Sequence, residues 1–305
     1  MIFPSKAEIR EAAARLRRGE LVAFPTETVY GLGAHALDAQ AVERIFAAKG
    51  RPRTSPLIVH VATVEAAREL VTEWPDAAEK LAAKFWPGPL TLVLPKIAKV
   101  PDSVTAGLES VGLRIPRHPV ALELLREVGI PVAAPSANLF MRLSPTAREH
   151  VSFGPEVLVL EGGASEVGIE STVLSLVGAA RLLRPGTISR AELEAEIGPV
   201  LVGDVHEGAS PGLHARHYQP RTPLVWAGAE LPQGRGAYVY MERERQAART
   251  VRMPAEPVAY AAALYAMLHQ LDSEELEWIA VEPLPQGEHW AAIWDRLMRA
   301  AGVSE

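Results

Sequence analysis

Helix-like and strand-like segments alternate along roughly the first 195 residues of this 305-residue chain, and this alternation narrows the possible folds more than any other feature. A helix is predicted over residues 6–18, because Ser5 and Glu8 have the spacing of a capping box and Gly19 follows as a stop. The apolar segment LVAFPT comes directly after it and is typical of a strand. The pattern predicts an α/β domain, and the length leaves room for a second unit.

The rest of this first part continues the alternation. A second helix is predicted from the cap Asp38 through Lys49, with Gly50 as its stop. The strand LIVHVA then begins after Pro56. Further strands are predicted at 91–95, 111–116, 131–135, 157–161, 171–176 and 181–185. Further helices are predicted at 64–72, 76–85, 119–127, 145–151 and 190–197.

Residues 203–223 interrupt the pattern. This segment, GDVHEGASPGLHARHYQPRTP, has three Gly, three Pro and three His without apolar periodicity, which is typical of a linker or an ordered loop. Beyond it, strands are predicted near 224–226, 236–241 and 276–282, and helices at 257–270 and 288–300. The chain is therefore divided into residues 1–200, a linker or lid of 201–222 and a small α/β unit of 223–305.

The composition excludes several classes of function. The chain has no cysteine, which removes disulfides, thiolate metal sites and thiol nucleophiles and suits a reducing compartment. No segment has the roughly 20 apolar residues of a membrane span, and the N-terminus has no apolar leader, so we expect a cytoplasmic protein with no membrane partner. The formal charge of -6 argues against wholesale coating of nucleic acid.

A cluster of cations in residues 44–64 runs against that acidic balance. The stretch RIFAAKGRPRTSPLIVHVATV contains Arg44, Lys49, Arg51 and Arg53 and no Asp or Glu. Arginine offers a planar fork of donors and lysine a mobile charge, so the KGR segment can bind an oligoanion such as a phosphate chain. The charge pattern leaves a second interpretation open, in which Lys49 complements the helix C-terminus and the arginines are solvated.

Polar residues concentrate in four segments at strand ends, where open α/β sheets usually bind ligands. These segments are PTETVYGLG, KGRPRTSPLIVH, PSAN with SPT, and GIESTV. Ser136, Asn138 and Ser171 can bind phosphate or ribose there, although such residues more often serve turns and caps. Ser144 before Pro145 predicts a helix start, which can also present free N–H groups to a phosphate.

Three polar residues interrupt apolar strands. Alternation in LIVHVA places Ile58 and His60 on one face, and a lone histidine there is more often a core residue than a catalytic one. Arg114 in VGLRIP and Arg184 in LLRPG each require an anionic partner if they are buried. That partner is either an Asp or Glu of the core or the carboxylate of a ligand.

Common metal and nucleotide motifs are missing from the sequence. His206, His214 and His217 lie in the linker without Cys or a nearby pair of carboxylates, which is a poor pattern for zinc. The sequence also has no Walker motif, no GxGxxG after a strand, no GxSxG and no HExxH. An enzyme with this sequence that uses nucleotides needs an uncommon phosphate cradle.

Seven segments in this order resemble the Sua5/YrdC/YciO family: PTETVYGLGA, AAKGRPRTSPLIVHVA, WPGPLTLVLP, PVAAPSAN, SPT, GIESTV and LRPG. SPGLHARHYQP and the region after it resemble the longer Sua5 type, so the resemblance covers nearly the whole chain. It implies an α/β fold with a twisted mixed sheet, flanking helices and a large cavity, followed by a small Rossmann-like α/β domain at the C-terminus.

The resemblance also implies a nucleotidyltransferase reaction. L-Threonine, bicarbonate and ATP, the last with Mg²⁺, give threonylcarbamoyl-adenylate and pyrophosphate. A downstream transferase uses the product to modify adenosine 37 of tRNAs that read ANN codons, and whether this protein binds tRNA directly stays open. The sequence has no evident protein nucleophile, so we expect a carbamate of threonine to attack the α-phosphorus of ATP. The reverse order, with bicarbonate activated first, is the alternative.

Residue roles are implied by the same resemblance. The expected contacts to threonine are Thr28, His60, Arg114, the backbone of Ala134, and Ser171. The expected contacts to ATP are Lys49, Arg51, Ser55, Ser110, Ser136, Asn138, Ser144, Arg184 and Tyr218. Lys49 and Arg51 are expected to be catalytic through charge neutralisation, Tyr218 is expected to close over the nucleotide, and no protein residue is expected to bind a metal.

Two other functions compete with this one. A nucleic-acid-binding module would use the same basic segment to grip RNA without ATP chemistry, and its affinity would fall steeply with salt. The net acidity and the few aromatic residues of the basic segment argue against it. A related adenylate-forming or carbamoyl-transferring enzyme with another amine substrate is the second alternative.

Overall fold

The computed structural model describes residues 3–203 and 216–302. Helices in the first range are α1 (Lys6–Arg17), α2 (Ala39–Lys49), α3 (Val64–Arg68), α4 (Asp76–Phe85), α5 (Asp102–Thr105), α6 (Pro119–Val128) and α7 (Arg190–Ile197). Its strands are β1 (Val22–Phe24), β2 (Gly31–His35), β3 (Ile58–His60), β4 (Leu90–Pro95), β5 (Ser110–Arg114), β6 (Val132–Ala133), β7 (Leu158–Val159), β8 (Thr172–Ser175), β9 (Arg181–Arg184) and β10 (Leu201–Val202). Helices and strands alternate, so the predicted α/β class is confirmed.

Local sequence sets the ends of the helices that frame the sheet. Ser5 and Glu8 form the predicted capping box of α1, in which the Ser5 N–H donates to the Glu8 carboxylate at 2.7 Å. Asp38 caps α2, and Gly50 ends it with a φ of 61°, a conformation that glycine adopts without strain. The chain therefore turns sharply after α2, and Arg51 follows directly.

The described strands of the first range form one mixed sheet in the order β10-β9-β8-β4-β5-β3-β6-β2-β1-β7. Strand β3 pairs in parallel with β5, which places His60 opposite Arg114, and antiparallel with β6, which places His60 opposite Val132. As predicted, Ile58 and His60 share one face of β3, whereas Val59 points into the main core on the other face. The register therefore brings His60 and Arg114 side by side.

The prediction of an α-helix at 145–151 is wrong. Only Arg148–His150 are helical, as a single 3-10 turn. Ser144 does not cap a helix, because its hydroxyl donates to Glu170 Oε1 at 2.5 Å. A hydroxyl that caps a helix accepts from its N–H groups, whereas this hydroxyl donates to a carboxylate 26 positions away, and a partner so distant leaves no local signal in the sequence.

Strand β2 was not predicted from the sequence, because its two glycines disfavour a strand. Gly33 is required there by packing. A Cβ at this position would lie 2.8 Å from the Phe24 ring and 2.9 Å from Val132 Cγ1. The short helix α5 was also not predicted.

The second described range contains a smaller α/β unit. Its strands are β11 (Leu224–Trp226), β12 (Gly236–Tyr240), β13 (Arg249–Arg252) and β14 (Trp278–Val281), and its helices are α8 (Pro257–Asp272) and α9 (Ala291–Ala301). The strands form a parallel sheet in the order β11-β14-β12-β13. The predicted elements are confirmed within a few residues, and β13 is the one that the sequence analysis missed.

The two units share a hydrophobic core. Val29, Leu143, Val167 and Ile169 of the first unit are buried in the same cluster as the apolar residues of α8 and α9. Gly168 lies between two of these residues, and a Cβ on it would come within 2.5 Å of the backbone of α8. The first unit therefore packs against the second through backbone contact as well as through side chains.

Part of the predicted linker lies outside the described residues. Residues 204–215, which include His206 and His214, belong to this part. Further along, the Gln219 N–H donates to the carbonyl of Met141 at 2.8 Å, which ties the described end of the linker to the first unit. In the described ranges, no helix is both long and apolar enough to cross a membrane.

Candidate active site

A cavity lies on the face of the large sheet that carries His60. Its walls come from the segment between β1 and β2, from the start of β2, from β3 and from the last residue of β5. The residues after α2 and β6, the residues before β8, the end of β9 and the linker complete them. Nine residues that the sequence analysis proposed for the site line it: Thr28, Arg51, His60, Arg114, Ala134, Ser136, Ser171, Arg184 and Tyr218. Three of these are arginines, so the cavity is suited to an anionic ligand.

The walls of the cavity lie close together. The space between them is about 540 Å³ when counted to the open mouth, but the part that a water molecule can occupy is about 50 Å³. That interior is room for only a few waters. A nucleotide and an amino acid can therefore enter together only if part of the wall moves.

Arg114 is buried at the end of β5 and is held by contacts from three directions. Its Nη1 donates to Thr28 Oγ1 at 2.9 Å and its Nε donates to the carbonyl of Gly88 at 3.1 Å. Its Nη2 lies 2.7 Å from Glu27 Oε1, in a buried ion pair whose angles are not those of a hydrogen bond. The requirement for an anionic partner is thus confirmed, and within the protein that partner is Glu27.

His60 is a buried, neutral histidine. Burial, and next to it the charge of Arg114, lower the pKa of His60 to about 3, so the imidazole carries no charge near neutral pH. Its Nδ1 has no hydrogen-bond partner in the described part of the chain, and its ring meets the Phe24 ring edge to face at 6.2 Å. His60 therefore combines a core contact with a polar atom that a ligand can use.

Arg51 enters the cavity directly after the left-handed turn at Gly50. Its Nη2 donates to the Ser55 hydroxyl and, at 3.1 Å, to the carbonyl of Pro56. Burial lowers the pKa of Arg51 to about 10, which still leaves it protonated at neutral pH. Its Nε has no hydrogen-bond partner among residues 3–203 and 216–302. Ser55 thus orients Arg51 and is not itself part of the cavity lining.

Lys49 lies behind the wall and does not line the cavity. Its Nζ donates to the carbonyls of Ser136 and Asn138, and the residue is 2% exposed. Burial, and to a lesser degree the charge of Arg51, hold the pKa of Lys49 well below its usual range. The Asn138 amide donates to the carbonyl of Leu139 at 2.8 Å. Lys49 and Asn138 therefore shape the PSAN loop, which presents Ser136 to the cavity.

Arg184 and Ser171 form a second cationic corner. Arg184 Nε and Nη2 donate to the carbonyl of Ser171 at 3.1 and 3.0 Å, and Nη2 also donates to its hydroxyl at 3.1 Å. The hydroxyls of Ser171 and Thr91 are 2.8 Å apart. Burial lowers the pKa of Arg184. These bonds fix the end of β9 against the loop that precedes β8.

Glu170 brings a buried anion to the same corner. Its carboxylate accepts from the Ser144 hydroxyl at 2.5 Å, from the Tyr265 hydroxyl at 3.2 Å and from Arg296 Nε at 3.0 Å. Burial raises the pKa of the Glu170 carboxyl, but Arg296 and Arg184 outweigh it and hold this pKa below its usual range. Tyr265 and Arg296 belong to α8 and α9, so the second unit reaches the wall of the cavity.

The linker supplies the last part of the wall through His217 and Tyr218. Their rings are 4.0 Å apart and nearly perpendicular, and Tyr218 is held in a left-handed conformation with a φ of 59°. The Tyr218 hydroxyl has no hydrogen-bond partner in the described ranges, and burial raises the pKa of Tyr218 to about 12. This side chain is positioned to cover the cavity.

Ser110 lies at a second, smaller cavity. It begins β5 and borders this space together with Thr91, Thr105 and Gly112. Ile58 lines both cavities. Ser110 does not line the main cavity.

Two family models match the chain. Residues 14–186 match the model for the Sua5, YciO and YrdC proteins, which is described as telomere recombination. The chain belongs to the Sua5/YrdC/YciO family. Residues 188–302 match a second model, described as the C-terminal domain of threonylcarbamoyl-AMP synthase. The resemblance drawn from the sequence motifs is confirmed for both parts.

Several members of the Sua5/YrdC/YciO family are similar to this chain over most of its length. A threonylcarbamoyl-AMP synthase of Bacillus subtilis is 42% identical over 97% of this chain and 93% of its own length. One of Pyrococcus abyssi is 47% identical over 72% of this chain and 67% of its own length. The crystal structure of P. abyssi Sua5 complexed with L-threonine superposes with a TM-score of 0.90, at 38% identity, covering 98% of this chain and 95% of that one.

Family membership does not assign roles to residues, but the structure places each candidate. The five residues proposed for threonine all line the main cavity: Thr28, His60, Arg114, Ala134 and Ser171. Of those proposed for the nucleotide, the cavity is lined by Arg51, Ser136, Arg184 and Tyr218. The others contact the wall from behind, as do Lys49, Ser55, Asn138 and Ser144, or border the smaller cavity, as does Ser110.

Three charged residues of the site were missed by the sequence analysis. Glu27 and Glu170 lie inside the PTET and GIESTV segments, next to residues that were singled out. The need for an anion beside a buried arginine was a signal that pointed to such carboxylates. Arg296 had no comparable signal, because an arginine on an amphipathic helix is usually exposed.

Proposed function

We propose that this chain catalyses the reaction of a threonylcarbamoyl-AMP synthase, in which L-threonine, bicarbonate and ATP give threonylcarbamoyl-adenylate and pyrophosphate. This assigns it to the nucleotidyltransferases and makes its product the substrate of a downstream transferase that modifies adenosine 37 of tRNAs reading ANN codons. Relatives carrying this name support the proposal, one of them over 93% of its own length. The cysteine-free sequence supports a reaction in the reducing cytoplasm.

One geometric observation carries the proposal. All five residues proposed for threonine share a single cavity with Arg51 and Arg184, the two cations proposed for the nucleotide. An amino acid bound beside Arg114 would therefore lie within reach of a nucleotide bound beside the other two arginines. Proximity of this kind is the main contribution an enzyme without a protein nucleophile can make.

The threonine side of the cavity fits a carboxylate next to a small hydroxylated side chain. Arg114 is already oriented by Glu27 and Thr28, so its guanidinium is fixed before the ligand carboxylate arrives. His60 is neutral and offers Nδ1, and Ser171 and Ala134 offer a hydroxyl and the main chain. A fixed donor set of this kind favours one orientation of the amino acid.

The reaction proceeds in two steps. The threonine amine adds to the carbon of bicarbonate, and loss of water leaves a carbamate. A carbamate oxygen then attacks the α-phosphorus of ATP, the bond from that phosphorus to the bridging oxygen breaks, and pyrophosphate leaves with the electron pair. Arg51 and Arg184 neutralise charge on the phosphates. Lys49 acts by holding the PSAN loop on which Ser136 lies.

Mg²⁺ enters this proposal as part of the substrate, bound to the phosphates of ATP. Both carboxylates near the cavity already have cationic partners, since Glu27 pairs with Arg114 and Glu170 pairs with Arg296. Among the described residues, no group of three or more His, Asp or Glu side chains is arranged to hold a metal. The ion would then supply charge neutralisation on the leaving pyrophosphate.

Pyrophosphate release tests the proposal. Purified chain with MgATP is assayed in CO2-free buffer, with L-threonine and bicarbonate added separately and together, and with L-serine in place of threonine. We expect pyrophosphate release above background only when L-threonine and bicarbonate are both present. No release from folded protein with all substrates overturns the proposal. Release that needs no amino acid assigns the chain to another adenylate-forming reaction.

The RNA-binding alternative is not favoured, because the relatives that cover most of this chain are named as synthases. It makes a different prediction in the same samples. Salt-dependent RNA binding without any pyrophosphate release would move this alternative to first place.

A further inference from the structure

Arg296 of α9 reaches from the second unit into the wall of the cavity. It is fully buried, its Nε donates to Glu170 Oε2 at 3.0 Å and its Nη2 donates to the Glu170 carbonyl at 3.3 Å. Its Nη1 donates to the carbonyl of Pro185 at 2.7 Å and to Asp295 Oδ2 at 2.9 Å. A buried arginine with this many partners holds a fixed position.

The partner of Arg296 is Glu170, an anion at a position where negative charge would weaken the binding of a nucleotide. Glu170 lines the cavity next to Ser171 and Arg184. At a buried, water-poor site, an uncompensated carboxylate would repel a polyphosphate and compete with it for neighbouring cations. One of these cations is Arg184, whose charge already helps to lower the pKa of Glu170 and which is proposed for the nucleotide.

Arg296 also contacts the residue of the linker that covers the cavity. Its Cζ lies over the Tyr218 ring at 5.6 Å from the ring centre, within the range of a cation–π contact. The Tyr218 ring also lies 5.8 Å from that of Tyr265, which donates to Glu170. One guanidinium thus connects the buried carboxylate to the cover of the cavity.

We propose that Arg296 is a positioning residue for the nucleotide half of the site. It neutralises Glu170, so that this carboxylate neither repels the phosphates nor draws Arg184 away from them. The second unit thereby completes the nucleotide site without touching the nucleotide. The inference deepens the proposed function and rests on it for the identity of the nucleotide.

Binding of MgATP, measured by calorimetry, is the direct test, and it does not require turnover. Arg296→Met leaves Glu170 without its cation, and we expect the Kd for MgATP to rise by roughly 10-fold or more. We expect the Kd for L-threonine to change by less than about 3-fold, because Arg114 and His60 lie outside this network. A purely structural role would weaken both ligands together.

A second variant separates charge compensation from folding. In Glu170→Gln/Arg296→Met the excess anion is gone, so we expect the Kd for MgATP to return to within about 3-fold of that of Glu170→Gln alone. This comparison also decides the question if Arg296→Met does not fold. A double variant that binds MgATP more than about 10-fold more weakly than Glu170→Gln overturns the proposal, as does an unchanged Kd in folded Arg296→Met.

Arg249→Met is the matched control. Arg249 belongs to β13 of the second unit, and its Nε lies 3.6 Å from Glu274 Oε1 in a partly exposed ion pair. We expect its Kd for MgATP to stay near that of the unchanged chain. Failure of the proposed synthase activity is seen in the pyrophosphate assay, whereas failure of this inference is seen in the MgATP titration, so the two are distinguishable.

Discussion

Arg51 and Arg53 are two positions apart in the basic segment but differ in environment. Arg51 is 7% exposed and lines the cavity. The side chain of Arg53 is 75% exposed and pairs with Glu43 on the surface. Of the two interpretations left open by the charge pattern, anion binding therefore fits Arg51, and a solvated cation describes Arg53.

This difference gives a prediction with a matched control. Arg51→Ala removes a buried cation from the proposed phosphate site, so we expect kcat/KM for ATP to fall by about 100-fold or more. Arg53→Ala removes only a surface pair and is expected to change it by less than about 2-fold. Steady-state pyrophosphate release measures both, with circular dichroism as the check of folding. Near-normal turnover in folded Arg51→Ala counts strongly against the phosphate role.

At the scale of elements, the described end of the linker crosses from the second unit to the first. The Gln219 N–H bonds to Met141, and the His217 N–H donates to the carbonyl of Arg299 at 3.3 Å. Tyr218 lies between these two attachments and forms part of the cavity wall. Because the enclosed space is small and Tyr218 forms part of its wall, a change in the position of this segment would open the cavity.

Replacing Tyr218 tests whether this segment acts as a cover. Tyr218→Ala removes the ring, and we expect the Kd for MgATP to rise by roughly 10-fold through lost contact and faster release. Tyr240→Ala is the control, since Tyr240 stacks on Tyr238 within the sheet of the second unit. Titration of both variants with MgATP measures the effect. An unchanged affinity in Tyr218→Ala would reduce the linker to a spacer.

At the scale of the whole molecule, the two units behave as one packed body because they share a core. Four apolar residues of the first unit are buried among those of α8 and α9, and Gly168 contacts the α8 backbone. Hydrogen bonds from Tyr265 and Arg296 to Glu170 add polar contacts across the same interface. A substitution that loosens the packing of this interface should therefore lower the stability of both units.

Gly168→Ala tests this packing, with Gly178→Ala as its control. Both glycines are left-handed, with φ values of 75° and 71°, but a Cβ at Gly178 meets nothing within 4 Å. We expect Gly178→Ala to lower Tm by about 3 °C through backbone strain alone. We expect at least twice that loss for Gly168→Ala, because its Cβ also collides with α8. An equal decrease in Tm for the two variants would contradict the shared core.

Much of the fold followed from local sequence rules, because helix caps and strand alternation act within a few residues. The capping box at Ser5, the helix at 190–197 and the alternation around His60 were predicted correctly. Ser144 was read wrongly, because its partner Glu170 is 26 positions away and no local rule detects it. Strand β2 was missed because glycine disfavours a strand, whereas the packing of the fold requires Gly33 at this position.

The residues of the site likewise fall into those that local sequence marks and those that only the fold reveals. Residues in contiguous motifs, such as Thr28, Ser136 and Ser171, could be proposed because the motif itself marks them. The ion pairs that hold the site together could not be proposed in full. Arg114 and Glu27 are 87 positions apart, and Arg296 and Glu170 are 126 apart, so only the fold reveals the pairing.

The Arg296–Glu170 pair has a consequence for the order in which the chain is made. Synthesis proceeds from the N-terminus, so all the residues of the large sheet emerge from the ribosome before α9 does. Until then Glu170 lacks the cation that α9 supplies. Under the role proposed for Arg296, a shortened chain that ends before α9 would present Glu170 to the cavity without this cation, and its affinity for MgATP would be lower than that of the full chain.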